Sequence, residues 1–175
     1  MTNTKTKKET TLVDEEIIEE SKPIVPKDVD PNQIIIVKNG FQGKLVYISP
    51  RTHETYKWDG FGDEQEMELR ELRNAKSASK KFFINNWFMF DEENMWVIDY
   101  LGLNQYYKKA LSLDDFESVF QKSPAKIEEI INGLSSGQKS SLAYRARQMI
   151  ADGEIDSRKV INTLEKSLGV ELIER

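Results

Sequence analysis

Three short hydrophobic runs after position 32 predict β-strands. Residues 33–38 are rich in β-branched side chains and indicate a buried strand. Asn39 and Gly40 then form a strong turn signal, and residues 44–49 and 54–58 predict two further strands. We therefore expect a three-stranded antiparallel meander, which needs a cover of helices to be stable.

The hydrophobic spacing changes to that of a helix beyond residue 62. Asp63 is a candidate helix cap, and residues 64–76 carry acidic side chains first and basic ones last, which suits the helix dipole. Leu69, Leu72 and Ala75 form the apolar stripe of this predicted helix. The helix would help to cover the sheet.

Helical periodicity continues to the C-terminus, where residues 112–175 predict a small helical bundle. Its first helix would follow Ser112 as N-cap, and its second would follow Ser123. Apolar stripes mark two more helices, the last of which would be capped by Asp156 and ended by Gly169.

Residues 1–31 differ in composition from the rest of the chain. They contain no aromatic residue and no glycine, but eight acidic and five basic side chains. This segment has little apolar area to bury, and burial therefore hardly offsets the entropy lost when its backbone is ordered. Pro23 and Pro26 favour an extended path. Composition alone fits a solvated tail; the alternative is an extended arm on a partner. Its candidate anchors are Val13, Ile17, Ile18, Ile24 and Val25.

Together these patterns predict an α+β protein of three parts. Residues 1–31 would be the arm, residues 32–111 the β-meander with an aromatic-rich helical core, and residues 112–175 the helical bundle. A length of 175 residues suits one domain, or one domain with a small partner.

Composition excludes several classes of site. The chain has no cysteine and one histidine, His53, which removes disulfide frameworks, zinc ribbons, cysteine nucleophiles and two-histidine metal sites. No hydrophobic run approaches the length of a membrane span, and no secretory h-region marks the N-terminus, so we expect no membrane partner. The net charge of −5 disfavours general nucleic-acid binding.

The motifs of common catalytic sites are missing from the sequence. It has neither a phosphate-binding glycine loop nor a nucleophile elbow, and no patterned nucleophile or acid accompanies His53, which we expect at the surface. The carboxylates between residues 59 and 68 do not fit calcium-loop spacing and are better explained as caps and a solvated face. We expect no enzymatic activity, no metal and no cofactor.

Residues 82–107 hold nine of the chain's seventeen aromatic residues. A stacking platform for single-stranded nucleic acid needs interleaved cations, and residues 82–105 contain none. The remaining interpretations are a structural core and a protein interface, where large aromatic residues are favoured. On the second interpretation the candidate partner-binding residues are Trp87, Phe88 and Phe90.

Two predicted helices of the bundle, joined by a short turn at residues 134–137, resemble a helix-turn-helix in outline. Gln138 and Ser141 would then face a DNA groove. The cations that would contact DNA are Lys139, Arg145, Arg147 and Arg158. Because residues 112–175 have no excess of basic side chains, we favour docking on other proteins and keep DNA binding as the alternative.

The texture of the sequence over residues 33–173 resembles small bacteriophage proteins that are encoded among the virion genes of phages infecting low-GC Gram-positive bacteria. The likeness rests on residues 39–41, 44–49, 61–67, 81–87 and 116–172, with Trp58. This resemblance implies a virion component or assembly factor made in the host cytoplasm. It implies no particular functional residues.

We therefore expect a non-enzymatic structural or assembly protein of a bacteriophage particle, at the neck, tail or baseplate rather than the shell. The N-terminal arm would clamp neighbouring virion proteins in a symmetric multi-subunit assembly. Two alternatives stay open. One is a phage-encoded regulator that binds DNA or a host protein through the C-terminal helices; the other is a tail-assembly chaperone that leaves the finished particle.

Overall fold

The computed structural model describes residues 25–173, where the chain forms a mixed α+β fold. The strands are β1 (Ile34–Asn39), β2 (Leu45–Ile48), β3 (Thr55–Trp58), β4 (Glu64–Glu68) and β5 (Phe88–Met89). The helices are α1 (Leu69–Ala78), α2 (Lys81–Ile84), α3 (Trp96–Tyr100), α4 (Asn104–Tyr107), α5 (Pro124–Gly133), α6 (Ser136–Ala151) and α7 (Arg158–Leu168). Short 3-10 helices span Glu92–Asn94 and Glu117–Gln121.

β1 is the central strand of the larger sheet. It pairs antiparallel with β4 on one side and with β5 on the other, where Lys38 lies opposite Met89. β2 and β3 form a separate antiparallel hairpin. The α+β class and a small three-stranded antiparallel sheet are confirmed, but the predicted meander is wrong in its pairing, because β1 does not bond to β2.

Asn39 explains why the chain leaves the sheet after β1. Its side-chain amide donates to the carbonyl oxygens of Gly43 and Gly60, both at 2.8 Å, and its Oδ1 accepts the backbone N–H of Phe41 at 2.8 Å. The side chain therefore organises a wider loop in place of a two-residue hairpin turn. Its backbone N–H bonds to Asp63 at 2.9 Å, which brings β4 alongside β1.

Residues 64–68 form β4, where the sequence pattern predicted the first turns of a helix. Met67 is fully buried, whereas Glu64 and Glu66 face solvent, which is the alternation of a strand. Pairing with β1 completes a hydrogen-bond ladder and overrides the local helix preference of glutamate. The helix begins only at Leu69.

Aromatic side chains from the two sheets and α2 fill a first core. Trp58 donates its indole N–H to the carbonyl of Val37 at 2.9 Å, which joins the hairpin to β1. Phe88 packs against Tyr47 and Phe83, with ring centroids 5.6 and 5.4 Å away. The interpretation of the aromatic segment as a structural core is confirmed.

α5, α6 and α7 pack around a second core. α6 follows Ser135, whose hydroxyl accepts a backbone N–H at 3.2 Å, and α7 ends at Gly169 with a positive φ of 69°, as predicted. The residue before α7 is Ser157 and not the predicted cap Asp156. Residues 112–120 form turns and a 3-10 helix in place of the predicted α-helix.

The first half of α6 joins the two cores. Gln138 is buried, and its side-chain amide bonds to both the N–H and the carbonyl of Leu111, at 3.0 and 2.8 Å. Ser141 is also buried and donates to the carbonyl of Gly40 at 3.3 Å. The helical bundle therefore packs on the β part through one face of α6.

A basic groove as the candidate functional site

A groove of about 680 Å³ beside α1 is rich in positive charge. Four of its lining side chains are cationic, although the whole chain has a net charge of −5. A local surplus of cations on an acidic protein favours an anionic ligand at that place. The groove is lined by Arg51, Arg70, Arg73, Asn74, Lys76, Ser77, Tyr100 and Leu101.

Helical spacing explains why α1 can build both a core and a groove. Leu69, Leu72 and Ala75 are fully buried in the first core. Arg73 and Ser77, four residues apart, are exposed and line the groove. The apolar stripe predicted from the sequence therefore turns the cations of α1 toward solvent.

A chain of hydrogen bonds supports the groove from beneath. Arg51 donates from Nη1 to Oδ1 of Asn74 at 3.0 Å, and the Asn74 amide donates to Glu71 at 3.2 Å. The buried Glu71 carboxylate also accepts the hydroxyl of Tyr47 at 2.7 Å. Burial and this hydrogen bond raise the pKa of Tyr47 well above its usual value. These contacts hold Arg51, from the turn after β2, against α1.

The positive charge of the groove is only partly balanced by its neighbours. Arg70 pairs with Glu68 at the rim. Within residues 25–173, Arg51, Arg73 and Lys76 form no ion pair. Guanidinium groups bind carboxylates and phosphates through two parallel N–H bonds. The groove therefore suits a ligand that carries several carboxylates or phosphates.

The groove also has an apolar side, formed by the half-buried Tyr100 and the buried Leu101 at the end of α3. Within residues 25–173 its lining carries no carboxylate, imidazole or thiol, but it does carry the Lys76 amine, the Ser77 hydroxyl and the Tyr100 phenol. Glu71 lies beneath the surface and accepts two hydrogen bonds there. The arrangement suits an anionic, partly apolar ligand.

The first described residues pack on the body and reach the start of α1. Val25 and Val29 are partly buried against the first core. Pro31 accepts the backbone N–H of Arg70 at 2.8 Å, and Gln33 accepts that of Leu69 at 2.9 Å. Pro31 and Gln33 are therefore fixed to the start of α1, whose Arg70 lines the groove.

The predicted partner-binding residues separate into three groups. Val13, Ile17, Ile18 and Ile24 lie outside the described residues. Val25 is half-buried and packs on the chain's own first core.

The aromatic candidates differ in exposure. Phe88 and Phe90 are buried in the first core, at 0% and 7% exposure. Their assignment as partner-binding residues is corrected, because no face of either ring is free to meet a partner. Trp87 is half-buried, with its ring edge-on to Phe41 and Phe82 at 6.0 and 5.5 Å. Part of Trp87 therefore stays accessible, although its indole Nε1 is buried.

Gln138 and Ser141, the residues expected to face a DNA groove in a helix-turn-helix, are not at the surface. Gln138 and Ser141 are buried at the junction with the β part, at 3% and 1% exposure. A recognition helix must present such residues to the base edges. The first half of α6 therefore faces protein.

The four cations of the DNA alternative are spread over the bundle. Arg145 pairs with Glu117, with 2.7 Å between Nε and Oε1, and Arg147 donates to the carbonyl of Glu171 at 3.0 Å. Lys139 lies in the first turn of α6 and is half-exposed, and Arg158 begins α7. Arg145 and Arg147 are already bonded within the bundle, so they are less available to contact DNA phosphates together with Lys139 and Arg158.

Asp63, from the acidic stretch at residues 59–68, and His53 both lie in turns. Asp63 does not cap a helix; its carboxylate accepts the N–H groups of Asp59 and Gly60 at 3.0 and 2.8 Å and closes the turn before β4. His53 is exposed in the turn after β2, with a positive φ of 60°. Among the described residues no cluster of acidic and histidine side chains is arranged to hold a metal ion. In the same part of the chain no helix is long and apolar enough to cross a membrane.

The groove was not predicted from the sequence, although the basic residues of α1 were a signal for it. Arg70, Arg73 and Lys76 complement the helix dipole in the sequence pattern, and this alone does not indicate a groove. Arg70 and Arg73 are also exposed beside the stripe of Leu69 and Leu72, and Lys76 is half-buried at its edge. What the sequence does not contain is the approach of Arg51, which depends on how the hairpin packs.

Similarity to known proteins indicates no function for this groove. Comparisons with models of protein families, with curated proteins and with solved structures found no match to the chain.

Proposed function

We propose that this chain is a non-enzymatic structural or assembly protein that works by docking on other proteins. The single observation that carries the proposal is the basic groove beside α1. Within residues 25–173 its Arg73 and Lys76 form no ion pair, and the backbone of Arg70 on its lining is bonded to Pro31. A charged groove with one apolar side suits a peptide segment.

The setting we propose is a bacteriophage particle, at its neck, tail or baseplate. The support for this setting is the resemblance over residues 33–173 to small virion-associated phage proteins. The N-terminal arm would contact neighbouring virion proteins, as terminal extensions can bind large surfaces while ordering only on contact. Host-cell synthesis followed by incorporation into the virion is part of the same proposal.

The test is the composition of purified particles. The chain should be found by mass spectrometry in particles from infected cells, at a fixed ratio to the other virion proteins. Detection only in the lysate and never in particles would favour the tail-assembly chaperone and contradict a structural role.

A deletion tests the arm. Because Val25, Val29 and Pro31 contact the body, the deletion should remove residues 1–24 and stop there. The shortened chain should stay folded and lose incorporation into particles. Normal incorporation of the shortened chain would contradict clamping by the arm.

A further inference from the structure

We propose that the basic groove beside α1 is the docking site for the chain's own acidic segment, residues 14–20, bound within the same molecule. The inference rests on the proposed docking function and names the first ligand of its groove.

Charge is the first reason. The segment carries five carboxylates in seven residues, and the groove presents four cations, of which Arg51, Arg73 and Lys76 form no ion pair within residues 25–173. Each exposed pair contributes little alone, but several pairs made together add up and also select against a neutral segment.

The apolar residues of the segment match the apolar side of the groove. Ile17 and Ile18 stand in the middle of the acidic run, and Tyr100 and Leu101 form one side of the groove. A segment bound by its carboxylates would place an isoleucine side chain against Tyr100. Charge with a central apolar contact is the usual composition of a peptide site.

The path of the chain is the third reason. Glu20 lies five residues before Val25, a distance of roughly 17 Å when extended. Residues 25–33 are held on the body, and Pro31 is bonded to Arg70, which lines the groove. A short tether keeps the segment at an effective concentration on the order of millimolar, so weak pairs suffice for binding within one molecule.

Cysteine cross-linking of the full-length chain tests this placement, because the natural chain contains no cysteine. Glu16→Cys is combined with Ser77→Cys in the groove, and a matched control combines Glu16→Cys with Ser140→Cys, an exposed position on α6. Oxidation is carried out at low micromolar protein concentration. We expect a fast intramolecular disulfide in the first pair, about tenfold faster than in the control, and slower formation at high salt.

The other outcomes overturn the inference. Disulfide-linked dimers from the Ser77→Cys pair, with a rate that rises with protein concentration, would assign the groove to a second copy. Equal rates in the two pairs would remove the segment from the groove altogether. Neither result decides the proposed assembly function, which the composition of purified particles tests separately.

Discussion

Gly137 lies against Asn85 so closely that a Cβ atom on Gly137 would stand 2.2 Å from the Asn85 carbonyl oxygen. The obstacle is backbone, which cannot move aside as a flexible side chain can. This contact, together with the hydrogen bond that Ser141 donates to the Gly40 carbonyl, joins α6 to the part of the chain that holds the first core. The helical bundle therefore packs directly on the part of the chain that carries the groove beside α1.

Gly137→Ala should lower the free energy of unfolding by about 1–3 kcal/mol, because the added methyl group forces α6 away from Asn85. Urea unfolding followed by circular dichroism measures the change. Ser140→Ala, at an exposed position of the same helix, should change stability by less than about 0.5 kcal/mol. Equal midpoints for the two variants would contradict the close junction.

Tyr47→Phe should cost about 1.5–3 kcal/mol of stability, because it removes the hydroxyl that donates to the buried carboxylate of Glu71. Tyr56→Phe is the matched control: its hydroxyl donates to Glu54, which is exposed and can bond to water instead. Denaturant midpoints of both variants should rank Tyr47→Phe as the less stable. The reverse order would contradict the supporting role of Glu71.

Stability should fall in alkaline solution. Burial raises the pKa of Tyr47 and Tyr107 above the ordinary value, so the unfolded chain loses these protons at a lower pH than the folded chain does. Their contribution to stability is full below a pH of about 10 and is lost as the pH rises further. Unfolding free energies measured from pH 8 to 11 check this. A flat profile across pH 10 would contradict the burial of these hydroxyls.

Duplex DNA should not bind through the C-terminal helices. Arg145 and Arg147 are engaged by Glu117 and by the Glu171 carbonyl, and Gln138 faces protein. A gel shift with the full chain should show no complex at about 50 mM salt, where phosphate contacts are strong. A salt-sensitive complex that disappears on Arg158→Glu would revive the regulator alternative.

The local elements of this chain were largely predictable, and its strand pairing was not. Periodicity located α5, α6 and α7, since their stripes bury against one another. The pairing of β1 with β4 depends on Asn39 tying together two distant loops, which no local pattern records.

The candidate site divides in the same way. The α1 side of the groove follows from the spacing of Arg70 and Arg73 around the buried Leu72. The opposite side depends on tertiary packing of Arg51 and Tyr100, which lie on separate elements. Phe88 and Phe90 show the converse error: an aromatic surplus indicates burial as readily as binding, and these two rings are core.

The central claim is that the groove beside α1 is the surface through which this protein docks its acidic segment. Amide hydrogen exchange over residues 14–20 of the full-length chain tests it most directly. The natural chain is compared with a groove variant, Arg73→Glu/Lys76→Glu, and with a control variant, Lys122→Glu/Lys159→Glu. The control makes the same charge change at exposed positions outside the groove. We predict that exchange of these amides is slowed in the natural chain and in the control, and that it speeds up about tenfold in the groove variant. Equal exchange in all three proteins would contradict the account.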